Sequence, residues 1–154
     1  MITIKKVFIY ILCLIPWFLS SLIPFNTEFY NSLNLPFFNP PISFYPIVWI
    51  ITYICISIST YKIVSIYEPK DLNRYYKILI INYLFNQSFS LFFFLLKSLF
   101  LTFISCLGTF ISTLFLYEEI TFLDEKSTKY LNPYVLLSLF STVLSLTIYL
   151  INSR

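Results

Sequence analysis

Histidine is absent from this chain of 154 residues, and glycine occurs once, as Gly108. The lack of histidine excludes His-based acid–base catalysis, His-ligated zinc and haem held by a histidine axial ligand. A single glycine excludes the glycine-rich phosphate-binding loops of P-loop and dinucleotide-binding proteins. The three cysteines lie far apart in apolar runs, show no metal-ligand spacing and are interpreted as small buried hydrophobic side chains, so we expect no metal site.

Charged residues are also scarce, because they form 11% of the chain, whereas about 25% is usual in soluble domains. Hydrophobic residues form 58%, and the mean hydropathy is +0.82. Such a chain cannot cover a water-facing surface, and it is too hydrophobic to be disordered. The net charge of +3 is small and spread over several loops, which argues against nucleic acid as a partner. The composition predicts an integral membrane protein whose partner is the lipid bilayer.

Five apolar runs are long enough to cross a bilayer as helices, which predicts an all-α bundle forming one membrane domain over residues 1–154. The second and third runs are separated by Pro69, the third and fourth by a tight turn at Lys97, and the last opens with Pro133. The first run also fits a signal peptide, although no small-residue cleavage site follows it. The predicted spans are 7–23, 44–67, 75–96, 99–117 and 131–151, with 118–129 as the main charged loop.

The distribution of lysine and arginine predicts the orientation of these spans. With five spans the two termini lie on opposite faces of the membrane, and eight of the ten basic residues fall on the N-terminal face. Because basic residues stay in the cytoplasm, we expect the N-terminus inside and the C-terminus outside the cell. The exceptions on the opposite face are Lys97 and Arg154.

The loop of residues 24–43 is unlike a polar linker. It has no lysine or arginine, and it contains four prolines and five aromatic residues. Prolines stiffen the loop, and the aromatic rings favour an interfacial or partly buried position. The loop is therefore either an aromatic belt at the membrane surface or a lid over a cavity among the helices.

Several short motifs, in order and with similar spacings, resemble the translocator protein family, also called the TspO/MBR group or tryptophan-rich sensory proteins. The first loop and the second span carry the first part of the resemblance, and the third and last spans carry the rest. The matching segments are FY at 29–30, LPFFNPP at 35–41, PIVW at 46–49 followed by Tyr53, INYLFNQSF at 81–89, and NPYVL at 132–136.

This resemblance implies a five-helix bundle of bacterial type in the cell membrane, usually a homodimer. It implies a cavity that binds porphyrins, haem-like tetrapyrroles, sterols and drug-like molecules, and hence a binding or sensor protein with no required cofactor and no catalytic side chain. The residues that it implies as cavity lining are Ser20, Tyr30, Trp49, Tyr53, Asn82, Asn86, Gln87, Phe89 and Cys106.

The chemistry of these residue types suits a flat macrocycle. Trp49 and Tyr53 are four positions apart, so they share a helix face and could stack on a ligand. Asn82, Asn86 and Ser90 form a polar stripe on the third span. Amides at bilayer depth are costly unless they face a partner or a cavity, so the stripe either lines the cavity or joins helix to helix by hydrogen bonds.

The chain departs from the family where tryptophan is frequent, since phenylalanine or leucine stands at those positions and only Trp17 and Trp49 remain. The alternative functions are light- and oxygen-dependent porphyrin degradation, which the missing indoles put in doubt, and transport. A transporter would be favoured by charges inside the membrane, and we expect none buried in spans two to five. The positions lacking tryptophan are Phe29, Phe38, Phe85 and Leu137.

Two weaker patterns complete the predictions. Leu146, Tyr149 and Arg154 fit the loose spacing of a proposed cholesterol motif, or they anchor the last helix at the interface. Small residues on the fourth span form one stripe that predicts either a dimer interface or close packing within one chain. The stripe consists of Ser98, Ser105, Gly108 and Ser112.

Overall fold

The computed structural model describes residues 4–153, and within that range every regular element is helical. α1 continues without a break into a 3₁₀ segment, and short 3₁₀ or π turns join several of the other helices. The helices are α1 Ile4–Leu14, α2 Thr27–Asn31, α3 Phe44–Ile66, α4 Asn73–Ser90, α5 Leu99–Leu123, α6 Glu125–Thr128 and α7 Asn132–Asn152, with 3₁₀ segments Ile15–Leu22, Pro69–Leu72 and Lys129–Leu131 and a π turn Leu91–Leu95.

Four helical stretches are long and apolar enough to cross a membrane, which confirms the prediction of a helical membrane protein. A fifth apolar stretch, Lys6–Leu22, is shorter. Its winding tightens to 3₁₀ around Pro16, which has no N–H to donate to the preceding turn. The four longer stretches are Phe44–Ile66, Pro69–Leu95, Leu99–Leu123 and Glu125–Asn152.

The charged segment 118–129 is not the loop that we predicted. α5 continues to Leu123, and α6 follows after Asp124, so most of the segment is helical. Glu119 is consequently buried on α5, with 7% of its surface exposed, and its Oε2 lies 3.0 Å from Arg74 Nε on α4. The expectation of no buried charge in the second to fifth spans is therefore wrong, because the helix carries Glu119 against α4.

α5 lies at the centre of the packing, with α4 on one side and α7 on the other, while α1 packs against α3. The small-residue stripe faces these neighbours: Ser105 and Ser112 are buried. A Cβ added at Gly108 would clash with the Phe85 ring of α4. The stripe therefore packs within one chain, which is the second of its two predicted interpretations, and the homodimer itself stays a prediction.

The tight turn predicted at Lys97 is confirmed. Lys97 has φ 52°, in the left-handed region that few side chains adopt. α5 begins immediately afterwards, where the Ser98 Oγ accepts a hydrogen bond from the Leu101 N–H, as an N-cap residue does. At this turn the Lys97 Nζ lies 5.9 Å from the centroid of the Phe29 ring in the loop of residues 24–43.

Candidate functional site

An aromatic cluster lies at the centre of the bundle, built on the Tyr53 ring of α3. The Trp17 and Trp49 rings both have their centroids 5.6 Å from that of Tyr53, at interplanar angles of 25° and 39°. Tyr134 of α7 meets both indoles edge-on, at 6.1 and 6.5 Å. The prediction that Trp49 and Tyr53 share a helix face is confirmed. The 3₁₀ segment turns Trp17 inward, so that only 4% of it is exposed.

A chain of hydrogen bonds extends from this cluster through the next three helices. The Tyr53 hydroxyl donates to Asn86 Oδ1 at 3.1 Å, and Asn86 Nδ2 donates to the Tyr134 hydroxyl at 3.3 Å. The Tyr134 hydroxyl donates to Asn82 Oδ1 at 2.8 Å, and Asn82 Nδ2 lies 2.9 Å from Thr113 Oγ1 on α5. The amides thus join α3, α4, α5 and α7, which is the helix-to-helix interpretation of the polar stripe.

A small internal cavity borders this network. Its volume is about 10 Å³, which is roughly the space that one water molecule needs. Four of the nine predicted ligand residues line it, together with three hydroxyl-bearing residues, and none of the lining residues is charged. The lining consists of Trp49, Asn86, Phe89, Cys106, Thr109, Ser138 and Ser141.

The other predicted residues lie around the cavity without lining it. Tyr53 and Asn82 belong to the hydrogen-bond network, and Ser20, on the 3₁₀ segment, lies beside the Tyr53 hydroxyl. Gln87 Nε2 donates to the Trp17 carbonyl at 3.3 Å. The Gln87 Oε1 atom is buried and has no hydrogen-bond partner among residues 4–153, which is unusual for a polar atom inside a protein.

Tyr30, the remaining predicted residue, lies in the loop of residues 24–43. Its hydroxyl accepts a hydrogen bond from Asn39 Nδ2 at 3.0 Å, and Asn39 Oδ1 accepts one from the Tyr45 hydroxyl at 2.8 Å. Tyr45 is one helical turn from Trp49 on α3. The loop is thus attached directly above the aromatic cluster.

A second attachment joins the same loop to the C-terminal end of α7. The Asn34 N–H donates to Asn152 Oδ1 at 2.8 Å, and Asn152 Nδ2 donates to the Asn34 carbonyl at 2.9 Å. The Asn152 side-chain amide thereby pairs with both the N–H and the carbonyl of Asn34, as a neighbouring β-strand would. This loop and the C-terminus lie at the same end of the bundle.

Aromatic rings also connect the internal cavity with this loop. Phe89, which lines the cavity, stacks on Phe93 with centroids 5.6 Å apart, and Phe93 meets Phe29 of the loop at 5.4 Å. A second, open cavity of about 410 Å³ lies at the surface beside this contact. It is lined by Pro24, Phe25, Asn26, Thr27, Glu28, Phe94 and Leu95.

The residues of the proposed cholesterol motif are only partly described. Leu146 and Tyr149 are half-buried on α7, and the Tyr149 ring lies 5.6 Å from that of Phe100. Arg154 lies outside the described residues. Tyr149 is therefore in contact with α5.

Sequence reasoning missed five residues of the site. Trp17 could have been found as one of only two indoles, but its neighbours gave no sign of its direction. Tyr134 lay within the NPYVL motif and was not selected as lining. The three hydroxyl-bearing residues gave no signal, because serine and threonine are frequent throughout the chain. They are Thr109, Ser138 and Ser141.

The fold and the site define a helical membrane protein with an uncharged site of aromatic rings, amides and hydroxyls among its helices, covered at one end by an aromatic loop. The family model of the TspO/MBR family matches residues 8–150. The chain belongs to this family.

Two relatives from Bacillus agree with this assignment. The chain is 37% identical to the "Tryptophan-rich protein TspO" of Bacillus cereus over 133 residues, which cover 86% of each chain. It is 34% identical over 127 residues to "Uncharacterized membrane protein YtaB" of Bacillus subtilis, with 82% of each chain covered. The chain is thus a membrane protein of the TspO/MBR family and a homologue of a tryptophan-rich protein.

Proposed function

We propose that this chain binds tetrapyrroles such as protoporphyrin IX between α3, α4, α5 and α7, beneath the loop of residues 24–43. The observation that carries the proposal is the position of Trp17 and Trp49 against Tyr53, next to the uncharged internal cavity. A porphyrin is flat, largely apolar and rimmed by polar groups. Stacked rings and neutral hydrogen-bonding groups are the chemistry that such a ligand requires.

Binding requires the interior to open, because a cavity of about 10 Å³ cannot hold a macrocycle. Two features support such an opening. The loop is held to α7 through the Asn34–Asn152 hydrogen bonds, which exchange readily with water at an exposed end. The stack of Phe89, Phe93 and Phe29 offers an aromatic path from the loop to the cavity.

We also propose that Ile4–Leu22 is a fifth span. Its 11 α-helical residues rise by roughly 16 Å at 1.5 Å each, and its eight 3₁₀ residues add roughly 16 Å at 2.0 Å each. The total matches the hydrocarbon thickness of about 30 Å. The 3₁₀ winding would let this short segment cross the bilayer. With five spans, the eight basic residues on one face favour a cytoplasmic N-terminus.

A porphyrin titration tests the binding proposal. Purified protein in detergent is titrated with protoporphyrin IX, and the Soret absorbance and the tryptophan fluorescence are recorded. The Trp49→Ala variant should bind at least about fivefold more weakly, which corresponds to about 1 kcal/mol for a lost aromatic contact. Phe115→Ala is the matched control, because Phe115 is an exposed aromatic residue on α5.

The Trp49→Phe variant separates ring contact from folding, since it keeps an aromatic face at the same position. It should retain most of the affinity, and the melting temperature of every variant without ligand is measured in parallel. Unchanged affinity in a folded Trp49→Ala protein would refute the assignment of this cavity. An equal loss in Phe115→Ala would show that porphyrin partitions into the detergent-covered surface instead.

Light-dependent porphyrin degradation is the second candidate, and the inward position of Trp17 favours it. Two indoles, rather than Trp49 alone, would then lie close to a bound photosensitiser. Illumination of the aerobic complex, followed by the Soret band and by a bilin-like product, tests this function. We expect slow loss at most, because two indoles are few for a tryptophan-rich protein, and rapid product formation that depends on Trp17 and Trp49 would make degradation the function.

A further inference from the structure

Two lysines share one tyrosine ring at the end of the bundle opposite the loop of residues 24–43. The Nζ of Lys62, in the last turns of α3, lies 4.7 Å from the centroid of the Tyr130 ring. The Nζ of Lys129, in the 3₁₀ segment before α7, lies 5.3 Å from the same centroid. Because both distances end at one point, the two ammonium groups cannot be further apart than the sum of these distances.

Neither of these cations has an acidic partner within the part of the chain that the structure describes. The ion pair found there joins Arg74 and Glu119. Each lysine gains attraction from the ring face, on the order of 0.5–1 kcal/mol at an exposed site, while the two like charges repel each other. An anion within reach of both lysines would offset this repulsion.

Lys62 and Lys129 lie at the level of the membrane surface. Lys62 lies four residues before Ile66, the last residue of a membrane-spanning helix. Tyrosine and lysine are both favoured at this level, where the ring or the methylene stem contacts lipid and the polar end reaches water. The anions most concentrated at this level are lipid headgroups.

The surface deeper in the membrane from Lys62 is apolar. Ile58 and Ile51 lie 4 and 11 residues earlier on α3, which places them on nearly the same helix face. Ile51 is half exposed, and Ile58 is partly buried. This strip can hold an acyl chain while the headgroup contacts the lysines, which favours a lipid over free phosphate.

We propose that Lys62, Lys129 and Tyr130 form a binding site for the phosphate of an anionic phospholipid. The ammonium groups bind the phosphodiester oxygens, the Tyr130 ring holds both lysine stems in place, and α3 supports one acyl chain. The site would join α3 to the start of α7 through a bound lipid.

Lipid binding to delipidated protein in a neutral detergent tests the site. Phosphatidylglycerol and phosphatidylcholine are added separately, and bound lipid is counted by native mass spectrometry. Wild type should prefer phosphatidylglycerol by about tenfold or more. Lys62→Gln and Lys129→Gln should each weaken its binding by about fivefold, and the double variant by about 25-fold.

The control is the double variant Lys70→Gln/Lys77→Gln. It removes two positive charges at the same end of the bundle and leaves the two lysine contacts of the Tyr130 ring intact. It should bind phosphatidylglycerol as wild type does, and Lys62→Arg/Lys129→Arg should restore the preference. If the double Gln variant does not fold, Tyr130→Leu replaces it and should weaken binding by severalfold.

Three outcomes would overturn the proposal. An equal loss in Lys70→Gln/Lys77→Gln would mean diffuse attraction to net charge. Equal affinity of wild type for the two lipids would mean that no anion site exists. Competition by inorganic phosphate at the concentration of the lipid would show that the acyl chain contributes nothing, so the site would not be a lipid site.

Discussion

The Tyr134 hydroxyl is the most informative single atom of the interior, because it links two asparagines that both lie on α4. It donates to Asn82 Oδ1 at 2.8 Å and accepts from Asn86 Nδ2 at 3.3 Å, and Tyr134 has no exposed surface. Tyr134→Phe removes this atom and keeps the ring. The perturbation is therefore confined to the hydrogen bonds.

The expected cost follows from the partners that the change leaves behind. Hydrogen bonds between membrane helices average about 0.6 kcal/mol, so the loss of two would cost about 1.2 kcal/mol. An unsatisfied buried group adds to this, on the order of 1–3 kcal/mol. Asn86 lines the small cavity, where a water could replace the hydroxyl, but Asn82 does not line it. We expect Tyr134→Phe to lower the free energy of unfolding by about 2–4 kcal/mol.

Unfolding of the helices by dodecyl sulfate in mixed micelles, followed by circular dichroism, measures this difference. Tyr61→Phe is the matched control, since no hydrogen bond of the Tyr61 hydroxyl occurs among the described residues, and it should change stability by less than about 0.5 kcal/mol. In a cycle with Asn82→Leu, the two changes should be strongly non-additive. A cost below 0.5 kcal/mol for Tyr134→Phe, or additive effects in the cycle, would refute the network as a source of stability.

Three further changes test the packing and the loop, two by the same unfolding assay and one by proteolysis. Gly108→Leu should destabilise by about 2 kcal/mol or more through its clash with Phe85, and Phe85→Ala should recover part of the loss. Asn152→Leu should free Asn34, so that proteolysis within the loop of residues 24–43 becomes faster while the helices stay folded. Lys97→Gly should raise the free energy of unfolding by about 0.5–1 kcal/mol. A left-handed backbone costs a residue with a Cβ about 1–2 kcal/mol, and glycine avoids this cost, while the substitution removes only the weak contact of the Lys97 side chain. A change in the opposite direction for any of these variants would contradict the role of the contact that the variant alters.

The sequence by itself determined the class of the protein, because composition and run length are properties that packing cannot change. Few charges and long apolar runs predicted membrane helices, and Lys97 and Pro133 lie where the predicted turn and helix start require them. Short motifs were enough for the family, since each motif reflects local spacing along one helix or loop.

The tertiary structure alone decided which helix face meets which neighbour. In a membrane protein the lipid-facing side of a helix is as apolar as the core of a soluble protein, so an apolar stripe does not mark the buried face. The inward turn of Trp17, the contact of Gly108 with Phe85 and the burial of Glu119 therefore had no signal in the sequence.

The same reason applies to the polar groups of the interior. The sequence placed Asn82 and Asn86 on one face of α4, but a single helix face can line a cavity or bond to another helix. Tyr134 and Tyr53 come from helices distant in sequence, and their hydroxyls turn that face into a connected network. Only the packing of α3, α4 and α7 brings these partners together, because hydrogen-bond geometry depends on distances between helices and not on spacing along one of them.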